Sequence, residues 1–254
     1  MNGFMVFLAK ELLEIRRTWR VWVIPGLTIF FAITGPILAL FTPQLLRALA
    51  ATDPGMVIKL PDPTAREAFG QFLQNMGQIV MIALVIAGAG SVSGERSSGT
   101  AILVLTKPLS RPAFILAKVV SQQILLVVST VLGTVVTIGV TAALFDNLQV
   151  RPFVIGVLLW LAFALFFSAV MTLCSVMVRS RGGAAGAGLF FLFSTLIASA
   201  FPLIAKWTFA GLTSASTKAL LGQSPPVLWP LLTAAAGMVV ATVMAVGIFR
   251  KQEI

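Results

Sequence analysis

Six stretches of this chain are apolar enough to cross a bilayer, and almost no charge falls inside them: residues 21–42, 76–93, 119–145, 153–178, 184–204 and 230–249. A hydrocarbon core about 30 Å thick needs about 20 apolar residues per spanning helix. Charged residues make up only 10% of the chain and the mean hydropathy is +1.01. A soluble domain carries about 25% charge, so this chain could not cover a surface in water. The expected fold is an all-α integral membrane protein, a single transmembrane domain over residues 1–254.

The segments between the spans are informative. Residues 4–20 read as an amphipathic helix lying in the membrane interface. Phe4, Leu8, Leu12, Ile15 and Trp19 share one face, with Lys10, Glu11, Glu14 and Arg17 opposite, which puts the charged face towards water. Pro25 and Pro36 should kink the first span. In the polar segment 43–75, Thr64 and Glu67 have the spacing of a capping box, so a capped amphipathic helix is expected there. The segment 205–229 is broken by Gly211, Gly222, Pro225 and Pro226, which suits short re-entrant or interfacial helices before the last span.

Basic residues set the orientation. Six spans put Lys10, Arg16, Arg17, Arg20, Arg96, Lys107, Arg111, Lys118, Arg179, Arg181, Arg250 and Lys251 at one end. Arg47, Lys59, Arg66, Arg151, Lys206 and Lys218 fall at the other. Because short basic loops stay inside, both termini are expected in the cytoplasm, in a multi-pass protein of the inner (plasma) membrane. Segments 43–75 and 205–229 are then extracytoplasmic. The first twenty residues lack the features of a signal peptide.

Several functions are disfavoured. The net charge of +10 is spread over short loops that suit topology and lipid contact, not nucleic acid. A single cysteine, Cys174, and no histidine leave no disulfide and no Cys/His metal site. No ionisable residue lies mid-span to carry ions or protons, and no paired carboxylates mark an intramembrane enzyme. A phosphate-binding loop is missing, since the Gly-rich run Gly88 to Gly94 has no lysine after it. That run, with Gly90/Gly94 and Gly182/Gly186, reads as helix packing through small residues. No cofactor or metal is expected on the chain itself.

The loop 94–118 stands apart. Gly99 to Thr106 can form a short, largely apolar helix stopped by Lys107-Pro108, and Ser110 can cap the next helix with Pro112 in its first turn. An apolar knob on such a loop calls for a partner; the alternative is that Ile102, Val104 and Leu105 pack on the membrane surface. The order Glu95, Gly99, Thr100, Leu103, Leu105, Pro108, Ser110, Arg111, Lys118, within this six-span layout, resembles the ABC-2 type permeases.

That resemblance implies an ABC-2 (type V exporter-like) fold and a transporter membrane subunit rather than an enzyme. It implies a second permease subunit, as homo- or heterodimer, and two copies of a separate ATPase that bind ATP and Mg. The loop would hold the coupling helix, with Glu95, Arg96, Gly99, Thr100, Leu103, Leu105, Pro108 and Arg111 serving ATPase coupling and Glu95 and Arg96 as hinge or salt-bridge residues. Lys10, Glu14 and Arg17 would serve on the interfacial helix. Arg111 and Lys118 would meet either that interface or lipid phosphates, and Arg179 and Arg181 would anchor topology. The uncharged spans favour export of an amphipathic, lipid-like or drug-like molecule. The alternative is a subunit that passes ATPase motion to an extracytoplasmic partner protein, as in copper-enzyme maturation, supported by the length of 43–75.

Overall fold

The computed structural model describes residues 3–50, 62–97, 99 and 110–252, and among them every regular element is helical. Helix α1 is Gly3–Arg17 and α2 is Arg20–Ala50. Next come α3 (Ala65–Asn75), a π-helical turn (Met76–Val80), α4 (Met81–Ala89) and the short α5 (Ser93–Ser97). Then follow α6 (Arg111–Leu144), α7 (Val150–Met177) and α8 (Arg181–Ser199). Two short helices, α9 (Pro202–Trp207) and α10 (Gly211–Leu220), precede α11 (Leu228–Lys251).

Six helical runs have the length and hydropathy to cross a membrane: Val21–Gln44, Ala65–Ser97, Arg111–Leu144, Val150–Met177, Arg181–Ser199 and Leu228–Lys251. Helix α2 runs on through Pro25, Pro36 and Pro43. The second run starts well before residue 76. Thr64 and Glu67 do form the capping box, each side chain bonding the other's backbone N–H. The helix they start is nevertheless no separate surface piece. Its Ala68, Phe69, Phe72 and Leu73 are buried, and Phe69 stacks on Phe153 at 4.2 Å. It continues through the π turn into α4 as the far half of the second span. The third span likewise starts early, because Ser110 Oγ accepts the Ala113 N–H and Pro112 occupies the first turn.

Helix α7 is the central pillar. It packs against α4, α6, α8, α10 and α11. Phe163, Phe166 and Phe167 on α7 join Phe191 and Phe209 in one aromatic cluster. Gly156 lets α10 approach, since a Cβ there would lie 2.8 Å from the Ser216 carbonyl oxygen. Helices α8 and α11 are mostly exposed, with Phe190, Ile197 and Val243 on the outside. In a bilayer those side chains meet lipid tails, which are as apolar as a protein core.

The second span is interrupted. Gly90, Ser91 and Val92 leave the helical path between α4 and α5. The side chain of Ser175 on α7 repairs the gap. Its Oγ accepts the Val92 and Ser93 N–H groups, each at 3.0 Å, and donates to the Ala89 carbonyl at 2.8 Å. Unpaired backbone groups inside a membrane are costly, so the break depends on this hydroxyl. The glycine-rich run is therefore a helix break as well as a packing surface.

Candidate coupling site at the basic end of the bundle

Helix α1 lies against the start of α6 and keeps part of its expected apolar face inward, with Ile15 buried and Phe4 and Leu8 packed on the core, but Glu11 of the charged face is buried as well. Phe7, Glu11 and Ile15 are buried, whereas Met5, Val6 and Leu13 are exposed. Glu11, with Lys10 and Glu14 beside it, turns towards protein, where Lys118 meets it. Arg17 points outward.

Lys118 has only 2% of its side chain exposed. Its Nζ lies 2.7 Å from Glu95 Oε1 and 3.1 Å from Glu11 Oε2. Lys10 closes the cluster, with Nζ 3.1 Å from Glu11 Oε1 and 3.4 Å from Glu95 Oε1, and a shorter bond to Glu14. Burial works against the Lys10 charge, but the carboxylates of Glu14, Glu11 and Glu95 outweigh it and hold its ammonium above the usual lysine range. Ligand atoms of Glu11, Glu14 and Glu95 lie within 4.8 Å of one another. The ammonium groups of Lys10 and Lys118 lie among these carboxylates and offset part of their charge.

Aromatic rings support the cluster. Phe7 stacks on Phe114 at 5.2 Å, and Phe114 stacks on Phe249 at 5.1 Å. The Lys118 ammonium sits 4.9 Å from the Phe114 centroid and the Lys10 ammonium 5.2 Å from that of Phe7. One stack thus joins α1, α6 and α11. Lys118 is not a lipid-phosphate contact, since its burial leaves no room for one.

Arg111 is half-buried and holds the end of the last span. Its guanidinium donates to the carbonyl oxygens of Phe249, Arg250 and Gln252 at 3.4, 2.8 and 3.0 Å, and so caps the end of α11. Arg96 donates to the Gln252 side-chain oxygen at 2.6 Å and to the Val176 carbonyl at 3.2 Å. Gln252 Nε2 donates to the same Val176 carbonyl at 3.1 Å. Gly99 ends α5 in the left-handed region, with φ of +72°. Thr100, Leu103, Leu105 and Pro108 lie outside the described residues.

These contacts gather α1, residues 94–97, the start of α6, the end of α7 and the end of α11 at one end of the bundle. The opposite end holds the α3 start and the α6–α7 link, joined by a 2.9 Å bond from Arg66 to Gln149. The packing glycines divide. Gly94 abuts the Arg181 guanidinium, and a Cβ at Gly94 would lie 2.9 Å from its Nε. Gly182 and Gly186 face open space, and Gly90 and Gly182 line a cavity.

Sequence reasoning placed Glu95 and Arg96 at the base of the second span but missed the pairing of Glu11 with Lys118. A lone lysine entering an apolar helix was the signal. Phe7, Phe114, Phe249, Ser175 and Gln252 carried no signal beyond ordinary composition.

Comparison with known proteins gives two results. A family model described as "ABC-2 family transporter protein" matches residues 5–214. An uncharacterized transmembrane protein of Bacillus subtilis (strain 168), YxlG, is 24% identical over 256 residues, covering 100% of this chain and 99% of that one.

Proposed function

Because the chain belongs to the ABC-2 family of transporter proteins, we propose that it works as a dimerising permease driven by a separate ATPase that docks on the loop between the second and third spans. It is a multi-pass membrane protein with six spanning helices; in the proposed orientation, both termini and the docking loop are cytoplasmic. The distribution of lysine and arginine supports that orientation.

The observation that carries the coupling role is the buried ion cluster. Glu95, four residues before Gly99, is tied to Lys118 at the start of the third span and to α1 through Lys10. Lys118 also holds Glu11. Both feet of the loop and the interfacial helix therefore move as one body when the loop is pushed. Glu95, Arg96 and Arg111 are positioning residues in this scheme, and Leu103 and Leu105 supply the apolar contact with the ATPase. The cargo is an amphipathic molecule, which uncharged spans accommodate better than an ion.

The test is co-purification of the tagged full chain in mild detergent. Recovery of a stoichiometric ATPase of separate sequence supports the reading, and recovery of the chain alone removes its energy source. Leu105→Asp should then abolish stimulation of that ATPase while leaving membrane insertion intact. Normal stimulation in this variant overturns the docking assignment.

A further inference from the structure

A cavity of about 510 Å³ opens at the end of the bundle that carries both termini, between α1, the break in the second span and the start of α8. Glu14, Trp19, Ile86, Gly90, Arg181 and Gly182 are among the residues that line it. Its chemistry is two-sided. Trp19 and Ile86 are 49% and 58% exposed, which gives it an apolar wall. Ile82, one turn from Ile86, extends that wall along the second span and is also exposed.

The other side is polar. Glu14 is held by its bond to Lys10. Arg181 forms no salt bridge among the described residues. Its guanidinium lies over Gly94, where a side chain would displace it. The missing side chains at Gly90 and Gly182 make the space, and Gly94 seats the cation beside it.

A guanidinium without an ion pair among the described residues, beside an apolar wall at the level where the spans enter the membrane, matches a molecule with an anionic head and a hydrocarbon tail. Tryptophan at the boundary suits the same depth. We propose that this cavity binds an anionic phospholipid of the adjoining leaflet, with its phosphate on Arg181 and the first part of an acyl chain against Trp19, Ile86 and Ile82. The site goes beyond the export reading and does not depend on an ATPase. A phospholipid held there touches α1, the second span and the fifth span together, so it would brace the cluster of Lys10 and Glu14.

The purified, delipidated full chain is titrated with phosphatidylglycerol, and bound lipid is counted by native mass spectrometry. Phosphatidylcholine and free glycerol phosphate are run in parallel. The variants are Arg181→Gln, Gly182→Leu and, as a control, Arg179→Gln. Leucine at 182 fills the cavity, and its Cβ would meet nothing within 4 Å, so the fold should tolerate it. Arg179 is exposed and does not line the cavity.

The expected result is retention of phosphatidylglycerol by the unchanged chain and by Arg179→Gln. Retention falls about tenfold in the other two variants, the loss of one charge-assisted contact or of the space. Equal retention in all four proteins overturns the site. Equal binding of phosphatidylcholine overturns the anionic head group. Competition by glycerol phosphate alone overturns the lipid in favour of a free phosphate. Because no ATPase is present, each of these failures leaves the transporter reading standing.

Discussion

Lys118 Nζ lies 2.7 Å from Glu95 Oε1 across the two feet of a loop, and the lysine is buried. A buried ion pair adds little stability of itself, because desolvation offsets the attraction. Removal of one partner is different, since it leaves a charge uncompensated. Lys118→Met should destabilise the protein by about 3 kcal/mol or more, read as a lower apparent unfolding midpoint in detergent. The triple change Glu11→Gln, Glu95→Gln, Lys118→Met should recover much of the loss. A single variant as stable as the parent would sink the cluster as a structural element.

Ser175 stands in for backbone at the break in the second span. Ser175→Ala leaves the Val92 and Ser93 N–H groups without their acceptor, at a cost of about 1–3 kcal/mol. Hydrogen exchange is the direct readout. The amides of 92 and 93 should exchange much faster in the variant while those of α7 stay protected. Unchanged protection at 92 and 93 counts against the repair.

Gly133 on α6 meets α2 closely. A Cβ there would come 2.3 Å from Thr28 Cγ2. Gly133→Ala should therefore overpack the contact and cost about 1–3 kcal/mol. Adding Thr28→Ser removes the offending methyl while keeping the hydroxyl that donates to the Ile24 carbonyl. The double variant should regain stability. If it is no better than Gly133→Ala, the two helices do not touch there.

Lys10 makes a pH prediction. Its folded pKa is raised above the ordinary 10.5 by the surrounding carboxylates, against the effect of burial. A group raised in this way contributes stability that is complete below its unfolded pKa and is lost as pH climbs through the folded value. The difference in unfolding midpoint between the parent and Lys10→Met should stay constant from about pH 7 to about pH 9.5, and narrow only above about 10.5. A difference that fades below about pH 9 would contradict the assignment.

The spans were legible because lipid demands long apolar runs, and charge breaks them. Local caps were legible too. Thr64 with Glu67 and Ser110 before Pro112 act within three residues of themselves, so spacing alone reveals them. The burial of Glu11 on α1 was not. A helical wheel separates polar from apolar sides, but it does not say which side meets protein when the other solvent is lipid. That choice was made by Lys118, 107 residues away from Glu11. Ser175 was hidden for a related reason. A serine in an apolar helix usually bonds its own preceding turn, and nothing in its neighbours reveals a gap in another span.

Gln252 holds a position its place near the chain end does not suggest. Arg96 grips its side chain and Arg111 its carbonyl, and these two arginines stand at opposite feet of the same loop. The two feet of the loop thus share one keystone, contributed at the end of the last spanning helix. A displacement of that keystone would bear on the second, third and sixth spans together. A fusion joined directly after residue 252 would hang its weight from that stone, whereas a spacer would leave the masonry untouched.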